Sequence, residues 1–234
     1  MACMGIRRKV AGTAGAKLAP AYGSGLARSV LAKAIDGIGP LRSAASAADD
    51  RLIVYGGDVE KTVSALIRRH AATAGAQGFV TNLGGLTTYA ATIPANVVGV
   101  MLVQCHLVAG IAHLRGYDLH DPRVRDAILA CLLGEDHVKM LVKKKELPST
   151  PMVIATAPAH SPTISDLLGR EVVTEVLARA AGKRAVSFVA RKIPVLGGGI
   201  AATNDALATW RVGHYTADQL KERRLVPTDG SPSR

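Results

Sequence analysis

From His70 to Leu114 the chain carries no Asp, Glu, Lys or Arg. In a protein with 20% charged residues, an uncharged run of that length has to be hidden from water, in a core or in lipid. It opens with "GAQGFVTNLGGLTTYAATIP", a tight glycine-rich connection. Thr92 is placed to cap the helix that follows, and Pro94 falls in its first turn, where a missing N–H costs nothing. The apolar pattern then predicts a helix from Pro94 to about Arg115.

From Pro94 to Leu114 such a helix is about 31 Å long at 1.5 Å per residue, close to the roughly 30 Å of a bilayer core. Two features argue against spanning. Asn96, Gln104, His106 and His113 interrupt it, and polar groups are costly in lipid. Arg68 and Arg69 precede the uncharged region while Arg115, Arg123 and Arg125 follow it; a span usually carries its basic bias on one side. The expectation is a buried helix, or one lying on a membrane surface.

The rest of the composition agrees with helices packed closely. Apolar residues make 48% of the chain but aromatics only 3%, so the core is built from Ala, Val, Leu and Ile. The predicted fold is all-α, a multi-helix bundle of helical hairpins with a Gly/Ala-rich apolar core. Residues 1–24 read as a flexible basic N-terminus, 25–224 as the helical domain and 225–234 as a disordered tail. The three cysteines, Cys3, Cys105 and Cys131, form no CxxC pair and are odd in number, which fits a reducing cytoplasm. No apolar secretory segment is read at the N-terminus.

Along the chain, Leu26–Ile38 is helical in pattern and ends at Gly39-Pro40. "SAASAADD" reads as a linker or weak helix. Asp58 is a candidate cap for a helix through His70, with Val59, Val63, Leu66 and Ile67 on one face. The stretch "GYDLHDPRVRDAILACLLG" carries agreeing local signals. Gly116 ends one helix by accepting positive φ. Asp121 caps the next, and Pro122 occupies its first position. Val124, Ala127, Ile128, Cys131 and Leu132 form its buried face, leaving Arg123, Arg125 and Asp126 largely exposed. Further on, the proline-rich segment "STPMVIATAPAHSPTISD" reads as an ordered loop or linker, and Asp166 as the start of a helix through Ala181. Ile93-Pro94 and Ile193-Pro194 each precede a Gly/Ala-rich helix ending near a Gly and a Tyr (Tyr117, Tyr215), a hint of a duplicated hairpin.

"GGLTTYAATIPANVVGVMLVQCHLVAGIAHLRGYDLHDPRVRDAILACLLG", with the later "RKIPVLGGGIAATNDALATWRVGHY", resembles the EcsC protein family. The likeness covers roughly residues 60 to 220 and is most specific from Pro94 to Gly134. The resemblance implies a bacterial, largely α-helical protein with a link to membranes. It supplies no catalytic residue.

Chemistry is sparse. Asn96, Gly99, Val103, His106, Gly110 and His113 recur at alternating spacings of three and four, a small-and-polar stripe on an apolar helix. It either lines a cavity or marks a close helix crossing. His106 and His113 are about 10.5 Å apart along the axis, too far to share a zinc ion, so no metal and no cofactor is expected. Asp205 is the one acid between Glu175 and Asp218 and, if buried, needs a partner. It is either a structural ion pair or N-terminal helix charge, or a catalytic or ligand-binding group. "VLGGGIAATN" lacks the phosphate-loop signature, and its glycines read as packing or turn residues. No Ser-His-Asp or Cys-His arrangement stands out.

A net charge of +11 points to an anionic partner. Lys139, Lys143, Lys144 and Lys145 are the candidate contacts. With aromatic stacking residues scarce, an anionic phospholipid surface or a membrane protein ranks above nucleic acid. The chain is therefore expected to be a cytoplasmic accessory or binding module, peripheral on the inner face of the cell membrane. The alternative is an enzyme or carrier whose apolar cavity, lined by Asn96, His106, His113 and Asp205, takes a hydrophobic or anionic small molecule. Sequence leaves the oligomeric state open.

Overall fold

The computed structural model describes residues 14–75, 95–190 and 197–222. Among them the chain is all-α: α1 (Ala14–Asp36), α2 (Ala44–Val54), α3 (Val59–Gly75), α4 (Ala95–Leu114), α5 (Pro122–Leu133), α6 (Glu135–Lys143), α7 (Pro151–Ala155), α8 (Pro162–Ala190) and α9 (Gly197–Gln219). The bundle is built around α4. Nothing on its surface can face water over much of its length, so it is wrapped by α1, α2, α3, α5, α8 and α9. Its apolar window Val97–Leu114 is 83% buried inside the protein. Met101, Leu102, Cys105, Val108 and Ala112 join the main core. Leu107 and Ile111 join a smaller cluster with Ala48, Val63, Leu66 and Ile67.

Local signals worked where they stood alone. Gly116 adopts φ +79°, and its N–H donates to the carbonyl of His113 at 2.9 Å. The carboxylate of Asp121 accepts the Arg123 N–H at 2.8 Å, with Pro122 first in α5. Asp58 likewise caps α3 through the Lys61 N–H at 2.9 Å.

Several elements differ from the sequence reading. Of the two readings of "SAASAADD", linker or weak helix, the structure shows the helix: it belongs to α2, capped by the Ser43 hydroxyl, which accepts the Ser46 N–H at 3.2 Å. The helix expected from Leu26 begins at Ala14, inside the segment read as flexible. The proline-rich segment holds α7, and α8 begins at Pro162 rather than Asp166. Gly197–Gly199 open α9 instead of forming a turn. Gly213 and Tyr215 lie inside α9, whereas Gly116 and Tyr117 lie beyond the end of α4, so this mark of a duplication is not structural. Thr92, Pro94, Ile193-Pro194 and the tail from residue 223 fall outside the described residues.

The clearest correction is Asp126. Expected at the surface, it is 4% exposed. The Ser165 hydroxyl donates to both its oxygens at 2.6 and 2.7 Å, tying α5 to the start of α8. Arg123 and Arg125 are also half-buried: Arg123 donates to the carbonyl of Ala157 at 2.6 Å and Arg125 to that of Leu119 at 3.1 Å. Arg115 donates to Glu60 at 3.0 Å and stitches the end of α4 to the start of α3.

The α1–α8 crossing is tight enough to require glycine. A Cβ on Gly169 would sit 2.6 Å from the Ser24 Cα, and backbone cannot yield as a side chain can. Gly169→Ala is expected to lower unfolding stability by about 1–3 kcal/mol. Gly25→Ala, with nothing within 4 Å, should be neutral or stabilising by about 0.5–1 kcal/mol. Urea denaturation of the two variants checks the contrast.

Candidate functional site

Three helical stripes converge on one groove. On α2, Ala47, Asp50, Arg51 and Val54 are spaced i, i+3, i+4, i+7 and share a face. On α3, Leu66, Arg69, His70 and Thr73 repeat the same spacing. Between them α4 presents Val103 and His106, and the Pro40-Leu41-Arg42 turn closes one end. The turn is held by Ile38 and Leu41, whose backbones exchange hydrogen bonds of 2.9 and 3.0 Å. The volume of this open groove is about 520 Å³, inside the roughly 300–1,000 Å³ typical of small-molecule sites.

Apolar walls and cationic side chains meet here. Leu41, Ala47, Val54, Leu66 and Val103 supply the apolar surface, and Arg42, Arg51 and Arg69 the positive charge. The single carboxylate in the lining, Asp50, is ion-paired with Arg42. His70 and His106 stack with centroids 5.2 Å apart. Nδ1 of His70 donates to the Leu66 carbonyl at 2.8 Å, and Nε2 of His106 to the Arg42 carbonyl at 3.1 Å. Burial pushes His70 down to about 4, helped by His106 and Arg51 and opposed by the bond to Leu66. Burial lowers His106 as well.

The candidates read from the sequence are distributed, not gathered. His106 lines the groove. His113 turns outward and bonds Asp49 at 2.8 Å. Gly110 makes the close crossing, with Ala44 and Ala48 of α2 and Leu66 of α3 around it. Asp205 is buried on α9 and lines neither this groove nor the second cavity described below. Asn96 lies in the first turn of α4, its side chain outside the described residues. Lys139 pairs with Glu135 at 2.6 Å, while Lys143, Lys144 and Lys145 are exposed at the end of α6. The chain folds back there through Lys145, at φ +62°. The residue that sequence reasoning missed is His70, which stood at an expected helix end; the signal was its i+4 relation to Leu66 and i+1 relation to Arg69.

Two other polar clusters were unforeseen. Asp126, His160 and Ser165 meet, with His160 Nε2 at 2.8 Å from the serine oxygen and 3.2 Å from the Asp126 carboxylate. This is no nucleophilic triad. One nitrogen faces both partners, and the serine proton is committed to the carboxylate, so no base is poised to take it. The cluster clamps α5 to α8. At the α5–α6 junction, His137 bridges Glu171 at 2.9 Å and Glu175 at 3.4 Å, and Arg179 binds Glu175 at 2.7 Å. An open cavity of about 850 Å³ lies beside it between α6, α8 and α9, where Glu175 is shared by His137 and Arg179. Cys131, buried and pushed up to about 12, and Cys105, also raised by burial, are thiols rather than thiolates. Among the described residues no group of three metal-ligating side chains assembles.

No family model, curated protein or solved structure matches this chain.

His70 couples the groove to pH. Its folded value near 4 lies below the roughly 6.5 of an unfolded chain, so between the two the unfolded state binds more protons. Stability is complete above about pH 6.5 and falls as pH drops toward 4, by about 3 kcal/mol from this residue. Urea melts across that range should show the loss, and His70→Phe should reduce its slope.

Proposed function

We propose that this protein is a peripheral module of an anionic membrane surface, docking through the corner between α2 and α3. The observation that carries the reading is Ile53-Val54, which are 78% and 68% exposed. Scattered surface apolars need no explanation, but this pair has particular surroundings. It sits in "RLIVYGG", residues 51–57, without an acid. Val54 shares the groove wall with Arg51 and Arg69, and Arg68 is exposed on the same helix as Arg69. A branched-aliphatic wedge beside guanidinium groups suits the boundary between headgroups and acyl chains.

The net charge of +11 supplies attraction at about 1 kcal/mol per cation near an anionic surface. The exposed lysines at 143–145 add to it. Spanning is disfavoured because, among the described residues, the one helix apolar and long enough to cross is the buried α4. The resemblance to EcsC proteins points the same way, and the reading does not depend on it. An inner-face, cytoplasmic setting suits the free buried thiols of Cys105 and Cys131. Among the described residues the two cavities assemble no reaction centre, and we read the module as a binding or accessory protein.

Vesicle flotation tests this. The protein is expected to float with vesicles containing an anionic phospholipid, and not with zwitterionic ones. Ile53→Asp with Val54→Asp should abolish flotation while the helical circular-dichroism signal persists. Changing Lys143, Lys144 and Lys145 to Glu should weaken it at least about tenfold at low salt. Equal flotation of wild type and the Ile53/Val54 variant would overturn the proposed docking corner.

A further inference from the structure

The two histidines of the groove pose a problem in proton counting. Nδ1 of His70 faces the Leu66 carbonyl, and Nε2 of His106 faces the Arg42 carbonyl. A carbonyl only accepts, so each of these nitrogens carries a hydrogen. In a neutral imidazole the other nitrogen is then bare. Those two bare nitrogens, Nε2 of His70 and Nδ1 of His106, face each other at 3.0 Å. That is hydrogen-bond distance between two acceptors. One added proton would turn a repulsive contact into an N–H···N bond.

What withholds the proton is first the burial of the rings, and for His70 also the neighbouring His106 and Arg51. The ionisable groups facing the pair are Arg42 on the turn, Asp50 and Arg51 on α2, and Arg69 on α3. Among the described residues of the lining, α4 adds none besides His106. Asp50 is spent on Arg42, so Arg51 and Arg69 leave the empty groove positive. A further positive charge on the histidines is disfavoured until an anion enters. The apolar walls fix the rest of that anion, because a small hydrated ion would leave Leu41, Val54, Leu66 and Val103 facing water.

We propose that the groove is a binding site for an amphipathic anion, an acyl chain ending in a carboxylate or phosphate, and that the His70–His106 pair takes up one proton from solvent as the anion binds. Arg51 and Arg69 hold the head group, and the chain lies along the apolar walls. The proton settles between Nε2 and Nδ1, and no other bond changes. By linkage, affinity for the anion rises as pH falls. This site does not rest on membrane docking. A free amphiphile and a bilayer lipid offer the same chemistry, and flotation can fail while the groove still binds.

The probe is 8-anilinonaphthalene-1-sulfonate, whose sulfonate stays ionised, so that a pH dependence belongs to the protein. Between about pH 8 and about pH 6, binding to the wild type is expected to tighten roughly tenfold. Calorimetry in buffers of different ionisation enthalpy should report uptake approaching about one proton. Arg51→Glu should weaken binding at every pH. His70→Phe should leave binding that no longer varies with pH, and His106→Gln serves as the second variant if His70→Phe does not fold. Displacement of the probe by decanoate or decyl phosphate supports a free ligand, and displacement by anionic vesicles alone supports a lipid held in the bilayer. Binding that is flat with pH and shows a buffer-independent enthalpy, or that ignores Arg51→Glu, overturns the proposal.

Discussion

The structure depends on the need to enclose α4. A helix apolar nearly all round gains from burial on most sides, at roughly 25 cal/mol per Å². It loses that gain wherever a side is left open. Six other helices meet this demand, and their glycines and alanines allow the approach. The α1–α8 contact at Gly169 and Ser24 and the α4–α2 contact at Gly110 and Ala48 are consequences of the same requirement. The α2 and α3 faces leave a groove over Val103 and His106, although both side chains are themselves buried. From α4, Val103 and His106 form its floor.

A core of small aliphatic residues packs in more than one register, and buried polar clamps select among them. Asp126 with Ser165 fixes α5 against α8. His137 between Glu171 and Glu175 fixes the α5–α6 junction against the same helix. Arg115 on Glu60 fixes α4 against α3. Each clamp joins residues far apart in sequence, and a buried charge with its partner removed is costly. Such pairs set which helices meet more than how stable the bundle is.

What could be read from the sequence was local. Gly116, Asp121 and Pro122 act within one turn of chain, so their roles were legible, as was the cap at Asp58. The uncharged run announced a central helix. Asp126 was misread because its helical spacing to Arg123 and Arg125 suggested a polar face, while its partner Ser165 lies far along the chain. The stripe on α4 was visible, but a stripe does not say what faces it. His106 met His70, His113 met Asp49, and Asp205 lay elsewhere. His70 was passed over because the apolar pattern of α3 ended there. The groove could not be read because it is the sum of three helical faces whose juxtaposition only the fold supplies.

In the proposed docking, α4 stays enclosed by protein while the α2–α3 corner meets lipid. Hydrogen–deuterium exchange of the protein with and without anionic vesicles tests it most directly. The α4 amides are expected to be among the slowest to exchange in both conditions, with new protection on vesicles confined to residues 51–57 and the groove around them. Contradiction would be α4 exchanging freely in solution and gaining protection only on vesicles, the behaviour of a helix that leaves the bundle to enter the bilayer.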